Sequence, residues 1–128
     1  MKKILLTMLL FCVVQLNAES IGGEKKEQLI TPTLWTVAPD MFACNLTNID
    51  SKVHRVQVRI ISNGKVMLES KLFSLESKHT SNHKMKGLSK GAPLYCEFTV
   101  DGEDDMYRGV AVLYHGPSGS DFIAVPAT

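Results

Sequence analysis

Histidine, cysteine and acidic side chains are the groups in this chain that could do chemistry, and their spacing decides which chemistry is open to them. His79 and His83 stand four apart, the spacing that puts two imidazoles on one face of a helix and lets them hold a cation with a third ligand. The surrounding Ser77-Lys78-His79-Thr80-Ser81-Asn82-His83-Lys84 has no helical pattern, and Lys78, Lys84 and Lys86 oppose a divalent ion. The pair is therefore expected in a solvated loop, as the metal candidates of a chain expected to carry no metal and no cofactor. Asp101, Glu103, Asp104 and Asp105 crowd five positions and could offer oxygen ligands to calcium, but the alternating acids and distal glutamate of an EF-hand loop are missing. A polar turn between strands is expected there. Serine, histidine and aspartate never fall in a nucleophile-elbow context, and Gly116-Pro117-Ser118-Gly119 has the wrong spacing for one. With no glycine-rich phosphate cradle either, the chain is expected not to be an enzyme.

The cysteines depend on the compartment. Lys2 and Lys3, the apolar run Ile4 to Val14, and Gln15-Leu16-Asn17-Ala18 give the charged, greasy and polar regions of an export signal in order, with Ala18 placed for cleavage. A run of about eleven apolar residues is well short of the roughly 20 that cross a bilayer, so residues 1–18 are expected to be a cleaved signal. No membrane span is expected after it. Cys12 leaves with the signal, and Cys44 and Cys96 remain as the pair in an oxidising periplasm or extracellular space. A disulfide follows, worth about 4 kcal/mol through the long loop it closes in the unfolded chain. Neither cysteine has the neighbours of a reactive thiol or a zinc ligand.

The chain carries 14 Lys and Arg against 13 Asp and Glu; without Lys2 and Lys3 the acids lead by one. Phosphate binding needs a basic stripe, so nucleic acid is not expected as a partner. What remains after cleavage is long enough for one domain with a modest core and too short for two.

Residues 19–32 are polar and show no sustained period, and read as a flexible leader before a domain over 33–128. Beyond Pro32, β-branched and aromatic segments alternate with turn signals. Thr33 to Val37 is short and broken by Pro39. Met41 to Asn48 puts Phe42, Cys44 and Leu46 on one face. Val53 to Ile61 sets Val56, Val58 and Ile60 against Arg55, Gln57 and Arg59. Asn63-Gly64 predicts a tight type I′ hairpin, and Lys65 to Leu75 returns from it with Val66, Leu68 and Leu72 as inner-face candidates. Residues 76–92 are polar and lysine-rich and read as a weak edge strand within a long loop. Leu94 to Val100 aligns Leu94, Cys96, Phe98 and Val100. Met106 to Tyr114 places Val110, Val112 and Tyr114 together, and Asp121 to Val125 closes the chain.

Both cysteines fall in the apolar phase of their strands, so both sulfurs are expected inside. About seven short strands pinned through the core imply an all-β fold, an antiparallel two-sheet sandwich with one disulfide, immunoglobulin-like in general architecture. The only tryptophan, Trp35, precedes Cys44 instead of following it as in a true immunoglobulin domain. Arg55, Gln57 and Arg59 on one strand, with Tyr95 and Glu97 on another, make polar stripes of residue types enriched in binding patches. They are the binding candidates.

Cys44-Asn45-Leu46-Thr47-Asn48, the Asn63-Gly64 hairpin, Tyr95-Cys96-Glu97-Phe98-Thr99-Val100, Arg108-Gly109-Val110 and Val125-Pro126-Ala127 together resemble small exported bacterial proteins built as one disulfide-bonded sandwich. The resemblance covers roughly residues 41–127 and implies a fold without a reaction. The expectation is an exported, non-enzymatic module, periplasmic or secreted, that acts on an unknown protein or cell-surface partner in an accessory, adhesive or envelope-associated role. A small secreted inhibitor or metal-binding protein, and a pilin-like subunit assembled by strand exchange, are the alternatives.

Overall fold

The computed structural model describes residues 26–116 and 121–128. The expected signal with Cys12, the first part of the leader and residues 117–120 of a Gly/Pro turn expected over His115–Ser120 lie outside the described residues. Ten strands are described: β1 (Lys26–Ile30), β2 (Leu34–Thr36), β3 (Met41–Asn48), β4 (His54–Ser62), β5 (Lys65–Glu69), β6 (Phe73–Leu75), β7 (Thr80–Lys86), β8 (Ala92–Asp101), β9 (Tyr107–His115) and β10 (Asp121–Pro126). They form two antiparallel sheets. In the first, β8 pairs β4 on one side and β1 and β2 on the other, while β5 and β6 follow one another along the far side of β4. The second runs β10-β9-β3-β7.

Period-two patterning builds this sandwich. Along β8 every second residue is buried, so Leu94, Cys96, Phe98 and Val100 form one wall of the core. Phe42, Cys44 and Leu46 of β3 form the opposite wall, and the Cys44–Cys96 disulfide joins the two sheets with both residues fully buried. Gly109 on β9 is required by the packing, since a Cβ there would stand 2.7 Å from the Phe98 ring. Trp35 is 62% exposed on the outer face of the first sheet, away from the disulfide.

Several expectations change against this architecture. The described strands number ten where about seven were expected, because short edge strands carry too few apolar residues to show a period. β1 is one of them: Lys26–Ile30 pairs with β8 where a flexible leader through residue 32 was expected, and only Leu29 is buried. β7, expected as a weak edge strand within residues 76–92, is an edge strand and pairs with β3 along its whole length. Its outer side chains make polar ladders, Thr80 to Thr47 at 2.7 Å and Asn82 to Asn45 at 2.6 Å, which leave the strand only a weak hydrophobicity pattern. Val66 and Leu72 are not inward; they are 44% and 45% exposed. A register shift between Ile60 and Ile61 turns Val66 outward, and a break between β5 and β6 does the same for Leu72. At that break the Ser70 hydroxyl accepts the Val58 N–H (2.9 Å). On β9, Tyr107 and Ala111 belong to the core, and Val110, Val112 and Tyr114 lie on the other face.

Candidate functional site

The outer face of the first sheet collects the binding candidates. On β4, Arg55, Gln57 and Arg59 alternate with the buried Val56, Val58 and Ile60, and their neighbours on β8 are fixed by register: Gln57 faces Thr99, Arg59 faces Glu97 and Ile61 faces Tyr95. Arg59 is a bridge between strands, giving Nε–H to Glu69 Oε2 at 2.9 Å and Nη1–H to Glu97 Oε1 at 3.2 Å. Those two contacts take two of the five guanidinium N–H groups and pair Arg59 with a carboxylate on each side. Gln57 gives its amide N–H to the Ser70 carbonyl (3.1 Å), tying the face to the β5–β6 break. Arg55 is exposed and makes no side-chain ion pair among the described residues.

Beside Arg55 the face opens into a groove of about 430 Å³ lined by Lys26, Arg55, Gln57, Leu72, Thr99 and Asp101. The outward turn of Leu72 provides its apolar wall. At the other end of the same face Trp35 lies opposite Pro93. Its indole rests on Gly91, where φ is +77° and a Cβ would meet the ring at 2.6 Å. The face thus runs from an aromatic end to a polar groove.

The floor of the groove is held by a cluster that sequence reasoning passed over. His54 Nδ1 lies 2.6 Å from Asp101 Oδ1, and Nε2 lies 2.7 Å from Asp50 Oδ2. Asp101 also accepts the Arg55 backbone N–H at 3.0 Å and the Tyr107 hydroxyl at 3.2 Å; the same hydroxyl donates to the Asp101 carbonyl at 2.5 Å. Burial opposes charge on His54, but the two carboxylates outweigh it and raise the imidazole above its ordinary pKa. The hydrogen bond from His54 lowers Asp50. Burial first, and then Asp101, push the Tyr107 phenol well up.

A protonated imidazole donating from both nitrogens has no lone pair left to take a proton from a nucleophile. The cluster works as a clamp that fixes the Asp101 carboxylate. Only Asp50, at i−4 from His54, was close enough in sequence to hint at it; Asp101 is 47 residues away.

The metal candidates are not brought together. His79 precedes β7 and is exposed, its Nδ1 on the Ser77 carbonyl at 2.9 Å and its Nε2 3.9 Å from Glu76. His83 faces inward against Phe73, ring centroids 5.4 Å apart. On extended backbone a four-residue step separates them by about 13 Å, so the helical geometry that made them a pair does not exist. Among the described residues no group of three His, Cys, Asp or Glu could hold a metal ion. Of the acidic run, Asp101 belongs to the clamp, and Asp104 gives its backbone N–H to Glu27 at 3.0 Å in a short 3-10 turn, Asp104–Met106.

No protein-family model matches the chain, and comparison with curated proteins finds no match. Among solved structures, the crystal structure of Thermotoga maritima 1070 is similar, with a TM-score of 0.56 at 5% sequence identity, over 79% of this chain and 91% of that one. At that identity the likeness shows a shared fold and nothing finer.

Proposed function

We propose that this chain is an exported, non-enzymatic β-sandwich that acts by contact with a protein or cell-surface partner, and that the outer face of its first sheet makes the contact. The observation that carries the reading is the groove beside Arg55. Its rim holds two cations, Arg55 and Lys26, while its one carboxylate, Asp101, is already committed to His54, Tyr107 and a backbone amide. A rigid floor with unspent hydrogen-bonding capacity at the rim is a surface prepared for a partner's polar groups. The exposed Trp35 at the far end of the face adds a large, stiff anchor of the kind that dominates contact energies. Export is supported by the apolar run behind Lys2 and Lys3 and by a core disulfide, which persists in oxidising compartments.

Site-specific photo-crosslinking in producing cells tests the reading. A photoreactive residue at Gln57 or Thr99 should give a discrete adduct, and one at Asn82 on the opposite sheet should not. Adducts of equal yield from both faces, or none from the groove, would overturn it.

A further inference from the structure

The four sheet edges are not protected alike. An edge strand presents unpaired N–H and C=O groups that will accept another strand, and proteins blunt such edges with lysine, interruption or cover. β1 begins with Lys26, and its Ile30 exchanges two backbone hydrogen bonds of 3.2 Å with Thr128. The β5–β6 edge is broken and carries Lys65 and Lys71. β7 displays Lys84 and Lys86, both exposed. β10 is guarded only at its ends, by Asp121 and Pro126; between them it reads Phe-Ile-Ala-Val, with Phe122 64% and Ile123 46% exposed.

Alternation decides which of its backbone groups are open. Ala127 N–H donates to the Gly109 carbonyl at 2.8 Å, so the odd-numbered residues in this phase turn their polar groups toward β9. The even-numbered residues turn theirs outward. Thr128, in that outward phase, spends its pair on Ile30, and Pro126 has no N–H. Among the described residues nothing takes the N–H or C=O of Phe122 or Ala124.

We propose that this edge pairs with the β10 of a second copy, antiparallel across a two-fold axis, fusing the two four-stranded sheets into one of eight strands. Outward groups must meet outward groups, and opposed side chains must share a face. Setting Phe122 opposite the partner's Ala124 meets both conditions and uses all four open groups of each copy. A slide that put Ala124 on the axis would leave the Phe122 carbonyl facing Pro126, which has no hydrogen to give. In the favoured register Phe122, already 6.3 Å from the Tyr114 ring, gains the partner's Ala124 on its open side. Ile123 falls on the axis opposite itself, in a non-hydrogen-bonded pair with Cα atoms about 4.5 Å apart. Three residues of one strand edge cover far less than the roughly 1,600 Å² of a standard interface, so the pairing is reversible and depends on concentration. It uses the sheet opposite the contact face proposed above and stands or falls independently of it.

That register makes a sharp test. A separation of about 4.5 Å suits a disulfide, so mild oxidation of Ile123→Cys should give a covalent dimer, with at least tenfold less from Ala124→Cys, one position off the axis. In sedimentation equilibrium the unmodified protein should dimerise as its concentration rises, and Phe122→Lys should weaken this at least tenfold while leaving the circular dichroism spectrum of the protein unchanged. Protein that stays monomeric at millimolar concentration overturns the proposal. So does Ala124→Cys cross-linking as readily as Ile123→Cys.

Discussion

At one end of the sandwich, where β3 passes to β4 and β8 to β9, side chains from distant parts of the chain hold the loops together; at the other, where β2 and β8 lie beside the β4–β5 hairpin, glycines and turn residues do much of that work. Asn48, fully buried, gives its amide hydrogens to the Lys52 and Leu75 carbonyls at 2.8 and 2.9 Å and accepts the Asp50 N–H at 3.0 Å. The Ser77 hydroxyl reaches the Asp50 carbonyl, and the Lys78 ammonium reaches that of Ile49. His54 then ties Asp50 to Asp101. The opposite end has Asn63 and Gly64 at positive φ in a two-residue turn, and Gly91 under the indole of Trp35. A long-range polar end and a locally encoded end should respond differently to substitution.

The largest effect should come from Asn48→Ala. It strands the buried Leu75 carbonyl and two partly buried groups, the Lys52 carbonyl and the Asp50 amide, and each buried group left without a partner costs about 1–3 kcal/mol. We expect a loss of about 3 kcal/mol in urea unfolding with little change in slope. A loss below about 1 kcal/mol would mean that water can enter this end and that it is not the tightly held one.

Gly91→Ala attacks the other end. Alanine is strained at a φ of +77°, and its Cβ would stand 2.6 Å from the indole. We expect a cost of about 2 kcal/mol, less than for Asn48 because the exposed ring can swing away. Trp35 is the only tryptophan, so its emission should shift to the red as it moves into water. Unchanged emission would show that the glycine does not seat it.

Those two residues also show what was legible in the sequence. Met41 to Asn48 and the Asn63-Gly64 hairpin could be placed because their signals are local: a period of two, and a dipeptide that tolerates positive φ. The inward phase of Cys44 and Cys96 was legible for the same reason. β1 was not, because five residues with one buried leucine gain their order from the strand they pair with, and β7, with its polar ladders, could be placed only as a weak edge strand. Arg59 and Glu97 could be named as surface residues, but only the β4–β8 register makes them partners. The clamp was hidden most deeply, since Asp101 and Tyr107 meet His54 only after two strands have crossed the sheet.

His54→Gln tests whether charge holds the polar end. The folded pKa of His54 is raised, so its contribution is complete below about pH 6.5, the ordinary value for histidine, and fades as pH climbs through the folded pKa. We expect the substitution to cost about 1 kcal/mol at pH 5.5, a modest figure because both carboxylates are partly in water. At pH 9 the cost should largely vanish. A penalty that did not change with pH would assign the cluster to packing, with the charge incidental.

His83 is the counterpart without partners, and its substitution should have the smallest effect at neutral pH. Its Nδ1 is buried with no hydrogen bond among the described residues, and burial lowers its pKa. The sign is opposite to that of His54: the fold keeps His83 neutral, the unfolded chain binds the proton more readily, and stability falls as pH drops below about 6.5. His83→Leu removes the stranded nitrogen and keeps apolar contact with Phe73, so at pH 7 stability should change by no more than about 0.5 kcal/mol. At pH 5 the variant should exceed the parent, where His54→Gln falls below it. Crossed pH profiles would show that the carboxylates around an imidazole, and not its depth in the fold, decide which way it couples to stability. Parallel profiles would mean that the two sites differ less than their hydrogen bonds suggest.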